Sequence, residues 1–191
     1  MTVKLVAGVG YNDFKYKSSG TKEHSLWRSM LARCYNESNL LKKPAYLGCT
    51  VSENFKNYSY FYEWCNEQIG FGNKGWCLDK DLLIKGNKIY SEGTCVFVPM
   101  IVNNIIVKAD SIRGEFPIGV VYDKERNKFQ SKFWSNNKPV HLGRFDTPEE
   151  AFYAYKKAKE CYIKSVALKW KDQIDPRAFQ ALMNYEVDIN D

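Results

Sequence analysis

The sequence predicts an α+β protein: an N-terminal helical and ββα region, then a three-stranded antiparallel sheet packed on one helix. Three observations predict it. Apolar residues recur at helical spacing before Gly70; short apolar runs alternate with turn residues over 76–104; and between Gly119 and Lys159 the hydrophobic period changes from two to that of a helix. The predicted parts are 1–106, a linker at 107–115, a basic module at 116–171 and a helical tail at 172–191.

In "SLWRSMLARCY", Leu26, Met30 and Leu31, then Cys34 and Tyr35, share one helical face, with Arg28 and Arg33 off it. The polar "NESNLLKKPAYLGCT" reads as a loop. "FKNYSYFYEWCNEQIG" places Phe55, Tyr58, Phe61 and Trp64 three residues apart, which predicts a second helix. Gly70, Gly72 and Gly75 end it. Over 76–104 the turn signals "KGNK" and "SEGT", followed by Pro99, predict a hairpin and then a helix through Asn103.

Within the module, "KFQSKFW" alternates, so Phe129, Ser131 and Phe133 face one way and Lys128, Gln130, Lys132 and Trp134 the other. Asn136 and Asn137 suit a hairpin turn. The next strand runs from Pro139 to Phe145. "TPEE" then predicts a helix start, with Thr147 as N-cap, Pro148 in the first turn, and Glu149 and Glu150 complementing the helix dipole. Ala151, Ala154 and Ala158 form a stripe of small residues that lets this helix lie close to the sheet, beside Tyr155 and Tyr162. Asp175 and Pro176 predict a short final helix.

Composition limits the function. The chain has 191 residues, 45% of them apolar and 15% aromatic, enough for a folded core. No apolar run reaches membrane-spanning length, and the first residues, "MTVKLVAGVGYNDFK", lack the features of a secretory leader, so a cytoplasmic location without membrane partners is expected. The six cysteines, Cys34, Cys49, Cys65, Cys77, Cys95 and Cys161, contain no C-x-x-C pair and read as reduced, mostly buried thiols. The net charge of +6 is local: residues 111–171 hold 13 Lys or Arg against 7 Asp or Glu, and the remainder holds 15 of each. A basic module with one cationic sheet face fits double-stranded DNA, because a β-ribbon can enter the major groove.

The stretch from Gly119 to Ala158 resembles the ethylene-response-factor (APETALA-type) DNA-binding domain, on "GV" at Gly119–Val120, Phe129, "LGRF" at Leu142–Phe145, "TPEEA" at Thr147–Ala151 and "AY" at Ala154–Tyr155. The resemblance implies a major-groove reader. The positions able to serve are Lys124, Arg126, Lys128, Gln130, Lys132, Trp134, Lys138, His141 and Arg144. The first half is similar to phage-type HNH homing endonucleases, on "WRSMLARCY", the aromatic helix "FKNYSYFYEW", Leu78–Asp79, Gly86, Tyr90–Ser91, Cys95 and Asn103.

One departure bears on activity. The Asp-His of the HNH motif is Asp79–Lys80 here, its central Asn falls at Thr94, and His24 and His141 lie outside this segment. The resemblance implies a phage or mobile-element protein of a bacterial host, acting on DNA by occupancy as a repressor or interfering factor. In that reading it needs no cofactor. The alternative is an active endonuclease using Asp79, Lys80 and Asn103, with Mg2+ held by Asp79 and Asn103. Asp79 and Asp81 read equally well as turn or cap residues. A further alternative is a protein-interaction module that uses Trp134.

Overall fold

In the computed structural model, residues 5–106, 114–135 and 138–190 are described. The proposed turn residues Asn136 and Asn137, and most of the proposed linker, lie outside these. The chain divides into two compact units, 1–103 with 173–178, and 104–172 with 179–191.

In the first unit, helix α1 (Lys22–Tyr35) starts at Thr21, whose side chain accepts from His24 N, and buries Trp27, Met30, Leu31 and Cys34. Trp27, rather than Leu26, is the centre of the buried face. Its indole nitrogen donates to Phe55 O at 2.8 Å, which satisfies a donor sealed from water. The segment read as a loop instead contains helix α2 (Glu37–Lys42) and a 3-10 turn at Pro44–Tyr46. Asn36 accounts for the difference, because its side chain accepts from Asn39 N and so caps α2.

The expected second helix is two, α3 (Glu53–Lys56) and α4 (Tyr58–Glu67). Asn57 ends one and caps the other, accepting from Tyr60 N at 2.9 Å. The aromatic spacing survives this break: Phe55, Tyr58, Phe61 and Trp64 are all buried. Their rings pack within one cluster with Trp27 and Phe97.

Strands β1 (Thr50–Val51), β2 (Trp76–Asp79), β3 (Ile89–Tyr90) and β4 (Val96–Pro99) complete this unit, and helix α5 (Met100–Ile106) follows directly. The expected hairpin is β2 against β4, antiparallel, with Asp79 opposite Val96. Between them β3 leaves the hairpin and pairs parallel with β1, Thr50 opposite Ile89.

The second unit is a three-stranded antiparallel sheet, in the order β5 (Val120–Asp123), β6 (Lys128–Ser135), β7 (Lys138–Phe145), covered on one face by helix α6 (Pro148–Trp170). The start of α6 is the expected one. Thr147 and Glu150 form a reciprocal capping box, with Pro148 in the first turn. Ala151 is fully buried and Phe152 and Tyr155 nearly so, and they pack with Val120, Phe129, Phe133, Val140, Leu142 and Phe145.

The tail contributes to this core. After helix α7 (Pro176–Met183), Tyr185, Val187 and Ile189 join the same cluster in alternation. The Val187 peptide is held at both ends, its N–H by Glu160 Oε1 at 2.9 Å and its carbonyl by Lys156 Nζ at 2.6 Å. Five of the cysteines are buried or half-buried, and Cys161 is exposed.

Candidate nucleic-acid interface

Strand register decides which side chains share the sheet face opposite α6. Across the three strands Val121 lies beside Gln130, and Gln130 beside Arg144; further along, Lys132 is opposite His141 and Trp134 opposite Pro139. All of these belong to the outward face, because the residues between them, Phe129, Ser131 and Phe133, point to the core.

A bulge makes this set possible. His141 and Arg144 are three residues apart, so a regular strand would send them to opposite faces. Pairing shifts between Ser131, opposite Gly143, and Lys132, opposite His141, leaving Leu142 as the extra residue. Both basic side chains then face outward. Gly143 takes φ +136, a conformation that side-chain-bearing residues rarely adopt.

The face has two electrostatic halves. At one end Asp123 Oδ2 accepts from Arg144 Nε at 3.1 Å and lies 3.4 Å from Arg126 Nη1, while Lys128 pairs with Asp146. The Arg144 contact leads in holding the Asp123 carboxyl below its ordinary range. At the other end Lys132, Trp134 and His141 form no ion pair among the described residues, and Trp134 is 64% exposed; Lys138, opposite Ser135, alternates to the other side of β7 from Pro139. Lys124 and Arg126 are exposed in the turn between β5 and β6, not on a strand.

Comparison with family models, curated proteins and solved structures finds no match to this chain. Of the nine basic, amide and aromatic candidates in the sequence, seven, Lys128, Gln130, Lys132, Trp134, Lys138, His141 and Arg144, lie on β6 and β7. Two residues of the face were not among them: Asp123, which joins two of the arginines, and Val121, which is exposed at the middle of β5. The alternation of Val121 and Asp123 was the available signal.

In the first unit, Asp79 and Lys80 of the HNH pattern are held in a tight structural knot. Asp79 is buried, and its Oδ1 accepts from Asp81 N at 2.9 Å and from Leu82 N at 2.7 Å, the geometry of a turn cap. Burial, then the nearby Asp81 charge, push its carboxyl up to about 6. The Lys80 ammonium, also buried, donates to Asn87 O at 2.9 Å and Asp81 Oδ2 at 3.1 Å, and lies 5.8 Å from the centre of the Tyr90 ring.

Thr94 closes the following turn, its hydroxyl donating to Ile89 O at 2.7 Å. Asn103 is half-buried on α5. Among the described residues, no three His, Cys, Asp or Glu side chains gather as a metal-holding group. One buried carboxylate that already caps two amides, next to a lysine ammonium, does not fit the octahedral oxygen shell that Mg2+ demands.

Proposed function

We propose that this protein binds double-stranded DNA through the outward face of the β5–β6–β7 sheet and acts by occupying its site, as a repressor or interfering factor. The observation that carries the reading is the register itself. It gathers Gln130, Lys132, Trp134, His141 and Arg144 on one solvent-facing surface, while α6 and the tail seal the other. Lysine and arginine supply phosphate contacts, and amide, guanidinium and apolar groups are those that discriminate base edges in the major groove.

The knot around Asp79 and Lys80 supports occupancy over cleavage. A nuclease of this type needs a base that can reach the attacking water, and Lys80 Nζ is buried and already engaged with Asn87 O and Asp81 Oδ2. The resemblance of the first half to phage-type HNH homing endonucleases then suggests a retained scaffold.

The test is to incubate the full-length protein with fragmented phage and bacterial DNA, in Mg2+ or in EDTA, and to sequence both the retained fragments and any new ends. Retained fragments that share a motif, without new ends, are expected. Fixed new ends that appear only in Mg2+ would establish an endonuclease. No retention at low salt would remove DNA as the partner and favour a protein-binding role for Trp134.

A further inference from the structure

We propose that Asp123 is a positioning residue that aims Arg144 at a guanine, making this pair the specificity-determining contact of the sheet face. The proposal rests on the DNA-binding reading above.

Arg144 is on β7 and Asp123 on β5, so the Arg144 side chain must cross the central strand to reach it, a span of about two strand spacings, roughly 9–10 Å. The guanidinium therefore lies over the middle of the outward face. Its Nε is the atom that Asp123 holds. Nη1 and Nη2 form no hydrogen bond with the described residues, and the Arg144 side chain is 45% exposed.

An arginine held through Nε and free at both terminal nitrogens keeps a planar pair of donors for one acceptor edge. In the major groove that edge is O6 and N7 of guanine, the match for a bidentate arginine. Fixing the side chain beforehand reduces the rotamer freedom lost on binding. The neighbours suit a base-reading role: Gln130 lies directly across from Arg144, and beyond it the exposed Val121 can touch a thymine methyl.

Stability does not account for the pair. It is a partly exposed ion pair, a class that contributes little to folding. Asp123 also costs cationic charge on the very face that meets phosphate. Asp123 Oδ1 has a separate task, accepting from Arg126 N at 3.3 Å to cap the turn. Asp123→Asn can keep that cap while placing an amide donor against Arg144 Nε, which separates the two roles.

The experiment selects duplexes from a random-sequence library with full-length wild type, Asp123→Asn, Asp123→Ala and Arg144→Lys, after thermal melting has shown which variants fold. Each base of the recovered site is then varied in turn. Wild type is expected to prefer guanine at one position by about tenfold or more, the scale of a bidentate contact. Arg144→Lys should lose that preference. Asp123→Asn and Asp123→Ala should lose it too, with affinity for bulk duplex raised because a carboxylate is gone.

Guanine preference that persists in Asp123→Asn overturns the proposal, and this variant decides if Asp123→Ala does not fold. Wild-type binding without any guanine that depends on Arg144 also overturns it, while leaving the DNA-binding reading intact. Failure of wild type to retain any duplex overturns both.

Discussion

Lys80 and Asn87 hold each other reciprocally: the Lys80 ammonium donates to Asn87 O at 2.9 Å, and Asn87 Nδ2 donates to Lys80 O at 2.7 Å. The same amide nitrogen donates to Ile89 O at 2.7 Å, and Asn87 Oδ1 accepts from Ile89 N. The segment between β2 and β3 is thus closed by one asparagine. Asn87→Ala leaves the Lys80 and Ile89 carbonyls without this donor and should cost about 1–3 kcal/mol. The check is a lower urea midpoint with an unchanged slope.

Asp79 predicts a pH dependence of stability. Its folded carboxyl, raised to about 6 from an ordinary 3.8, holds a proton more tightly than the unfolded chain does. The contribution is fully present below pH 3.8 and is lost as pH rises through about 6. Asp79→Asn keeps a side-chain oxygen for the amides of Asp81 and Leu82 and removes the titration. In EDTA, urea midpoints of wild type and variant should therefore diverge between these two pH values, with the variant gaining relative to wild type toward neutral pH. Parallel profiles would contradict the assignment.

Ser131 has a fully buried side-chain oxygen without a hydrogen-bond partner among the described residues, on the packed face of β6. A polar group sealed in this way costs stability. Ser131→Ala should be neutral or stabilise by up to about 1 kcal/mol. A loss of more than that in chemical denaturation would show that the hydroxyl has a partner after all.

Gly119 should tolerate no side chain. Its φ is +80, and a Cβ there would meet the Tyr155 ring at 2.0 Å. Positive φ and overpacking act together, so Gly119→Ala should destabilise by at least about 2 kcal/mol. Thermal melting would show the loss, and duplex binding should fall with the folded fraction.

Lys132 and Trp134 separate charge from contact area. Lys132→Ala removes a cation that has no ion pair among the described residues and should reduce the slope of log affinity against log salt by about 1. Trp134→Ala removes an exposed ring, 64% accessible, and should weaken binding while leaving that slope unchanged. Titration of one labelled duplex at several salt concentrations measures both. Unchanged affinity in both variants would reduce these residues to surface solubility.

Much of the architecture was legible in local signals. Thr147 through Glu150 announced α6, because Thr147 and Glu150 accept from backbone donors at the helix start and a proline there removes one such donor, wherever these residues occur together. The alternation in β6 and the three-residue aromatic spacing through Trp64 announced buried faces, because side-chain direction follows from backbone period alone. Local breaks were less visible: Asn36 and Asn57 each began a helix where the sequence suggested a loop or a continuous one.

What only the tertiary structure decided was the pairing of residues distant along the chain. The parallel match of β1 with β3, the bulge that turns His141 and Arg144 to one face, the reach of Arg144 to Asp123 across a strand, and the seat of Val187 on α6 all depend on register and packing between separate segments. A sequence read along its length determines which faces exist. Which side chains meet on a face is set by long-range backbone pairing, where a shift of one residue exchanges inside for outside.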